Sequence, residues 1–320
     1  MKLLNLLTTT LLRPYVSREL PGWGVLYEKF VGGYKHESRW KGSGTRWVRG
    51  KLHGYEMLLD LSQWSNRQTF FLKRFYDLPT QLFLKRALKE GDTFVDVGAN
   101  EGMMSLLASR LVGLSGRVIA FEPNAVPRSR LEAAIARNGI SNIEVRPYGL
   151  GEINETLSFT VPKINTGEGS FAGAVYDEAD VTCMECEVRR GDDVISRDIE
   201  IALIKLDVEG FELRALRGLA ETIGRSKPMI VMETDPDTLA RCGDTIDMIK
   251  EFLLERSYLP SLLSLKKKSL LSKRSAVLSI TPTFPHASAP KGDFYWAPAR
   301  WPNRPVPSDI DYPVPLIRWI

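Results

Sequence analysis

Residues 93–102, Thr-Phe-Val-Asp-Val-Gly-Ala-Asn-Glu-Gly, restrict the fold of this chain more than any other stretch. Phe94, Val95 and Val97 form a short apolar, β-branched run between Gly91 and Gly98. Such a run marks a strand buried on both faces, as in a parallel sheet. Apolar residues then recur at Met103, Leu106, Leu107 and Leu111, the three-to-four spacing of a helix. A strand, a tight glycine turn and a helix place backbone N–H groups and a positive helix end beside a ligand, and glycine permits close approach. The expectation is a nucleotide-like ligand.

Two details narrow it. The dinucleotide fingerprint needs three glycines at fixed offsets, and only Gly98 and Gly102 are present. A nicotinamide oxidoreductase is disfavoured on that ground, and no Gly-Lys-Ser/Thr follows to make a phosphate-binding P-loop. About twenty residues beyond the turn, Arg117 to Phe121 make a second apolar strand ending at Glu122, where an acid can accept hydrogen bonds from a ribose diol. A glycine turn with an acidic strand end and no pyrophosphate cradle points to an adenosyl ligand, and S-adenosylmethionine fits.

Three blocks, Asp96-Val-Gly-Ala-Asn-Glu-Gly102, Phe121-Glu-Pro-Asn124 and Ile204-Lys-Leu-Asp-Val-Glu-Gly-Phe-Glu212, together resemble the FkbM family of S-adenosylmethionine-dependent O-methyltransferases. The resemblance spans roughly residues 76–298. It implies the α/β class I methyltransferase (Rossmann-like) fold, with a mostly parallel seven-stranded sheet in the order 3-2-1-4-5-7-6. Around it stand an N-terminal arm or cap with a possible hairpin (1–75), the methyltransferase domain (76–298) and a Pro/Trp-rich tail (299–320) with Trp301 and Trp319 as possible anchors. By the same resemblance, Asp96, Gly98, Ala99, Asn100, Gly102, Glu122, Pro123, Asn124 and Tyr148 bind the cofactor, Tyr148 beside adenine with Pro147. The implied acceptor is a hydroxyl of a carbohydrate or glycosylated natural product. Phe75-Tyr-Asp77 falls where relatives carry a Tyr-Glu pair, with Asp replacing Glu here.

Methyl transfer is an in-line displacement that depends on positioning, and a sugar hydroxyl needs its proton removed. Asp207 and Glu233, at the ends of neighbouring strands, can each act as general base, or together hold a divalent cation that lowers the hydroxyl pKa. Glu209 lies close by. Strand alternation puts Lys205 and Asp207 on one side. A plainer role for Asp207 and Glu209 is capping the following helix. His36, His53 and His286 fall outside the nucleotide core; of these, His53 is the first candidate for a histidine base. Amine-directed nucleic-acid methyltransferases carry Asn/Asp-Pro-Pro-aromatic after the fourth strand, where this chain has Lys205-Leu-Asp-Val-Glu-Gly; Asp235-Pro236 follows the fifth strand and has no second proline. The alternative from another class is a catalytically silent adenosyl-binding module serving a complex.

The 320 residues allow a large core, and 43 basic against 39 acidic residues are too balanced to argue for nucleic acid, which is not expected as a partner. Three cysteines give no disulfide framework and point to a reducing, cytoplasmic setting. Cys183 and Cys186, three apart on a strand-like stretch, point to opposite faces and make a poor metal or redox pair. Residues 1–12 are too short to span a bilayer and lack a signal cleavage site. They read as a short amphipathic helix docking on the body or a partner, with peripheral membrane contact as the alternative.

Residues 13–45 read as irregular, 47–61 as a hairpin turning at His53-Gly54, and 66–88 as a helix broken at Pro79. Asn124 caps a helix ending at Asn138-Gly139, and 143–146 is a third strand. Strands at 155–161 and 181–188 flank a long loop with Gly167, Gly169, Ser170 and Gly173, read as a mobile rim or lid resembling the family's serine-containing loop. Fourth and fifth strands fall at 201–206 and 228–232, the fifth ending at Glu233. Gly210 starts a helix, and Asp244 caps another. Lys266, Lys267, Lys268, Lys273 and Arg274 read as a solvated basic loop, able to meet an acidic acceptor or a membrane. Strands at 276–280 and 293–296 close the sheet. Nine of the 19 prolines lie from Pro282 to Pro315, so the end of the chain is expected to be neither a helix nor a central strand.

Overall fold

The computed structural model describes residues 3–32, 36–163, 167, 169–173, 177–267, 276–285, 292–299 and 310–312. Lys268, Lys273, Arg274, His286, Trp301 and Trp319 lie outside them.

Part of the stretch expected to be irregular is helical. Helix Leu3–Ser17 runs through Pro14, and helices Trp23–Phe30 and Glu37–Trp40 follow. Trp23, Tyr27 and Val31 recur every four residues and are all buried, so one face of the second helix is a core stripe. Tyr27 and Trp40 meet Phe71 edge-on at 5.7 and 6.0 Å. None of the described helices is long and apolar enough to cross a membrane.

β1 (Thr45–Arg49) and β2 (Glu56–Asp60) pair as the expected hairpin. His53 is part of its turn: Nδ1 accepts the Tyr55 N–H at 3.1 Å, and a Cβ on Gly50 would strike the ring at 2.3 Å. Burial lowers its pKa to about 4. The expected helix over 66–88 is two helices, Trp64–Leu72 and Leu78–Ala87. The break lies before Pro79, which sits in the first turn of the second helix, where its missing N–H costs nothing. Asp77 is the N-cap, accepting from Thr80 N at 3.1 Å.

The central sheet is built from β3 (Thr93–Val97), β4 (Arg117–Phe121) and β5 (Ile143–Arg146), then, after an excursion, β9 (Leu203–Leu206) and β10 (Met229–Thr234). All five run parallel. The excursion is a separate three-stranded sheet of β6 (Gly149–Gly151), β7 (Glu155–Pro162) and β8 (Val181–Arg190). On β8, Cys183 is exposed and Cys186 buried, opposite faces as alternation requires. β11 (Tyr258–Lys267), β12 (Ala276–Pro282), β13 (Gly292–Pro298) and β14 (Ile310–Tyr312) finish the main sheet, whose order is β14-β12-β11-β13-β10-β9-β3-β4-β5.

Read from β5, the first seven positions follow the order 3-2-1-4-5-7-6, with β13 antiparallel as seventh strand. Two edge strands extend the sheet to nine. The sixth position belongs to β11, which contains Lys266 and Lys267, the start of the run read as a solvated loop. Ala276–Pro282 is therefore an added strand, and β14 is an edge, where a proline-rich tail can pair.

The sheet is buried on both faces. Phe94 and Leu203 join the N-terminal helices in one apolar cluster, whereas Val95, Val97, Ile204 and Leu206 join Leu213, Leu216, Ile223 and Phe252 in another. Asp96 and Lys205, paired across β3 and β9, share the face of the N-terminal layer. Thr245, not Asp244, caps helix Ile246–Glu255, accepting from Met248 N.

Candidate active site at the strand tips

Gly98, Glu122 and Asp207 are the residues immediately after β3, β4 and β9, so three neighbouring strand ends bring them together. The turn after β3 uses all its own amides. Gly98 N and Ala99 N both donate to Phe121 O at 3.0 Å, Asn100 N to Glu122 Oε2 at 2.8 Å, Glu101 N to Asn100 Oδ1 at 2.9 Å and Gly102 N to Ala99 O at 2.8 Å. All five amides from Gly98 to Gly102 are thus engaged within the chain. The glycines serve shape: Gly98 and Gly102 lie at φ 77° and 78°, and a Cβ would strike Asp207 O at 1.9 Å or the Leu131 side chain at 2.2 Å. Both glycines thus let the chain approach itself closely, Gly98 against the loop that carries Asp207 and Gly102 against Leu131.

Glu122 is 6% exposed, and its oxygens accept from Asn100 N and Asn124 N, both at 2.8 Å. Burial pushes its carboxyl up to about 7, against the opposing pull of those two amides. It faces a narrow lobe of about 50 Å³ with Pro123, Asn124, Phe159, Phe171 and Phe211. A carboxylate beside aromatic walls offers an acceptor for hydroxyl donors and apolar faces for a planar ring. This lobe shares Gly98, Asn100, Asp207 and Glu209 with a cavity of about 850 Å³.

The larger cavity holds the other expected residues. Asp207, Glu209 and Glu233 each offer a carboxylate oxygen within 4.8 Å of the others. Such an all-oxygen set suits a hard divalent cation. Glu233 lies within β10, one residue before its end, and so stands level with Asp207. Lys205 is buried beneath them: its Nζ donates to Gly98 O at 2.9 Å and lies 3.2 Å from Asp207 Oδ2 and 3.5 Å from Asp96 Oδ1. One ammonium thus ties the cofactor turn to the strand-end acid. From behind, Glu212 accepts from Val208 N and Gly210 N at 3.2 and 3.3 Å, fixing the loop that carries Asp207 and Glu209.

Of the residues expected to bind the cofactor, Ala99 lines the larger cavity, Glu122, Pro123 and Asn124 the narrow lobe, and Gly98 and Asn100 both. Asp96, Gly102 and Tyr148 line neither. Asp96 is fully buried and accepts from Ser105 Oγ at 2.6 Å, while Tyr148 packs on Phe121 at 5.8 Å. Gly149 and Leu150, the next two residues, line the narrow lobe. Among the described residues, no histidine lines either space.

Sequence reasoning did not find the aromatic residues. Phe171, from the loop between β7 and β8, sits between Phe159 and Phe211 at 4.7 and 5.1 Å. The same loop is fastened by Ser170 Oγ donating to Glu209 O at 2.7 Å and by Arg241 donating to Gly173 O at 3.2 Å. Trp64 and Tyr76 line the larger cavity. The only advance signal was Phe75-Tyr-Asp77, in which the structure brings Tyr76, not Asp77, to the cavity.

The family model of the FkbM methyltransferase domain matches residues 96–260. A search of curated proteins finds no match. Among solved structures, the chain is similar to an FkbM methyltransferase from Methylobacillus flagellatus at 17% identity, covering 91% of this chain and 60% of that one, TM-score 0.39. A SAM-dependent O-methyltransferase from Thermotoga maritima matches at 11% identity over 81% of this chain and 87% of that one, TM-score 0.39. A Streptococcus mutans protein solved in complex with S-adenosylhomocysteine matches at 9% identity over 68% and 94%, TM-score 0.37. With the family model covering more than half of the chain and the strand-tip site in place, this protein belongs to the FkbM family of S-adenosylmethionine-dependent methyltransferases.

Proposed function

We propose that the chain methylates a hydroxyl of a carbohydrate or glycosylated natural product, with Asp207 taking the hydroxyl proton. The observation that carries this reading is the composition of the larger cavity: three clustered carboxylates, Asp207, Glu209 and Glu233, share one space with the rings of Trp64 and Tyr76. Carboxylates accept hydrogen bonds from hydroxyls, and aromatic faces cover the apolar C–H face of a sugar ring. Among the described lining residues, Glu101, Asp207, Glu209, Glu233, Asp235 and Asp237 face only Lys205 and Arg241 as bases. That field disfavours phosphorylated acceptors, nucleic acid included.

When bound, S-adenosylmethionine supplies a methyl carbon that the acceptor oxygen attacks as the carbon–sulfur bond breaks and its electron pair stays on sulfur. Glu122, held by two amides, receives the ribose hydroxyls, and the narrow aromatic lobe excludes water from the adenine. Lys205 fixes Asp207 by its Oδ2, so the base is positioned without a search over rotamers. Glu209 and Glu233 hold neighbouring hydroxyls of the acceptor and set which one meets Asp207.

The test is transfer of labelled methyl from S-adenosylmethionine to a panel of neutral and acidic glycosides. Product on a sugar hydroxyl is expected, and Asp207→Asn should lower kcat at least a hundredfold while leaving cofactor affinity within a factor of about two. Cofactor binding with no methylated product across the panel would return the chain to the silent-module reading; equal loss of binding and turnover in Asp207→Asn would reassign that residue to the cofactor.

A further inference from the structure

Trp64 and Tyr76 lie ahead of the 96–260 stretch that matches the family, yet both line the larger cavity. Their rings stand 5.4 Å apart at 36°, and Phe75 backs Tyr76 at 4.3 Å. Tyr76 is 38% exposed although it is a large aromatic inside a cavity. A ring present only for packing would be covered. Both rings are also held in place. Trp64 opens a helix whose Asn66 donates to Glu101 at 2.7 Å and whose Arg67 donates to Leu61 O at 3.0 Å. Tyr76 directly precedes the N-cap Asp77, and its carbonyl accepts from Arg74 at 3.3 Å.

The phenol is placed against the chemistry. Partial burial, then the charges of Asp207, Glu233, Asp77 and Glu209, keep its pKa well above the ordinary tyrosine value, so it stays a neutral O–H donor at the edge of the carboxylate cluster. A rigid pair of rings bordered by carboxylates and one hydroxyl is a complementary surface for a pyranose, whose C–H face is apolar and whose rim is polar.

We propose that Trp64 and Tyr76 form the platform on which the acceptor sugar ring stacks, so that the selectivity of this chain for its acceptor is carried by residues ahead of the 96–260 stretch that matches the family. This rests on the carbohydrate reading above, and the experiment separates the two. Full-length wild type, Trp64→Ala, Tyr76→Ala and Tyr76→Phe are compared in labelled methyl transfer to neutral pyranosides, with cofactor Kd measured by calorimetry. Both alanine variants should raise acceptor KM at least tenfold while cofactor Kd stays within about twofold, and Tyr76→Phe, which keeps the ring, should hold acceptor KM within about threefold of wild type. If a pyranoside is methylated and its KM is unchanged in the alanine variants, or if cofactor Kd weakens in step with KM, the platform is overturned while the carbohydrate reading stands. If wild type methylates no saccharide, that reading fails and the platform with it. Should Trp64→Ala lose its folded circular dichroism, the Tyr76 pair decides, since that ring is exposed and its loss opens no core cavity.

Discussion

At Glu122, burial raises the carboxyl to about 7 while two backbone amides favour the anion. Ribose hydroxyls donate to the anion, so a protonated Glu122 must lose its proton as the cofactor binds. Affinity for S-adenosylmethionine should therefore rise with pH up to about 7 and level off above it, with a slope no steeper than about tenfold per pH unit. In the ligand-free protein the sign is opposite: a carboxyl whose folded value lies above its ordinary 4.5 binds more protons folded than unfolded, so stability falls as pH rises from about 4.5 to about 7. Calorimetric Kd from pH 5.5 to 7.5 checks the first statement, and Glu122→Gln should flatten the profile; a flat wild-type profile would remove Glu122 from the ribose. Gly98, Glu122 and Asp207 were legible in the sequence because each ends an apolar strand, and strand ends of a parallel sheet converge. The inward roles of Asp96 and Gly102 were not, because facing a cavity or Leu131 depends on register and on a helix some thirty residues away in the chain.

At the scale of elements, β3, β4, β9 and β10 were readable because short apolar runs bounded by turn residues mark strands buried on both faces, and β5 because Ile143-Glu-Val-Arg146 alternates. β11 was missed because Pro260 and a lysine run mask it; Pro260 lies outside the ladder with β12, which begins at Ser261, and Lys266 is exposed. The helix at Trp23–Phe30 was hidden by flanking glycines, although Trp23, Tyr27 and Val31 carry the four-residue spacing of a buried face. The loop between β7 and β8 stood out by its length, but its contents were not legible, since nothing in the sequence links Phe171 to Phe211. Removing that link gives a prediction. Phe171→Ala takes away one wall of the narrow lobe without touching Asp207, so cofactor Kd should rise about tenfold, or about 1.4 kcal/mol, with acceptor KM at saturating cofactor little changed. Calorimetry and initial rates on the same preparation read both numbers, and an unaltered Kd would mean that Phe171 only fastens the loop.

For the molecule as a whole, residues 1–75 and the sheet share one apolar cluster, in which Trp23, Tyr27, Trp40 and Phe71 stand with Phe94 and Leu107. Within residues 1–75 a buried ion pair ties distant segments together: Glu19 meets Arg74 at 2.7 Å with both side chains 1% exposed, and Lys51 joins them. Burial alone would raise the Glu19 carboxyl, but Arg74 and Lys51 hold it below the ordinary carboxylate value. A lowered folded pKa means that this stabilisation is present at neutral pH and above, and is lost as pH falls from the usual carboxylate range through the folded value. Glu19→Gln leaves Arg74 buried without its counter-charge and should cost about 3–5 kcal/mol, read as a drop in Tm at pH 7 that narrows in acid. Arg74 also donates to the carbonyls of Phe75 and Tyr76, so the same substitution should loosen the aromatic wall and raise acceptor KM well below the melting temperature. The shape of the transition decides how the N-terminal residues belong to the fold. One cooperative unfolding step in both wild type and Glu19→Gln, seen alike by tryptophan fluorescence and far-ultraviolet circular dichroism, is expected of a shared core; a separate early step, carrying part of both the tryptophan and the helical signal, would make residues 1–75 an arm that folds apart from the sheet.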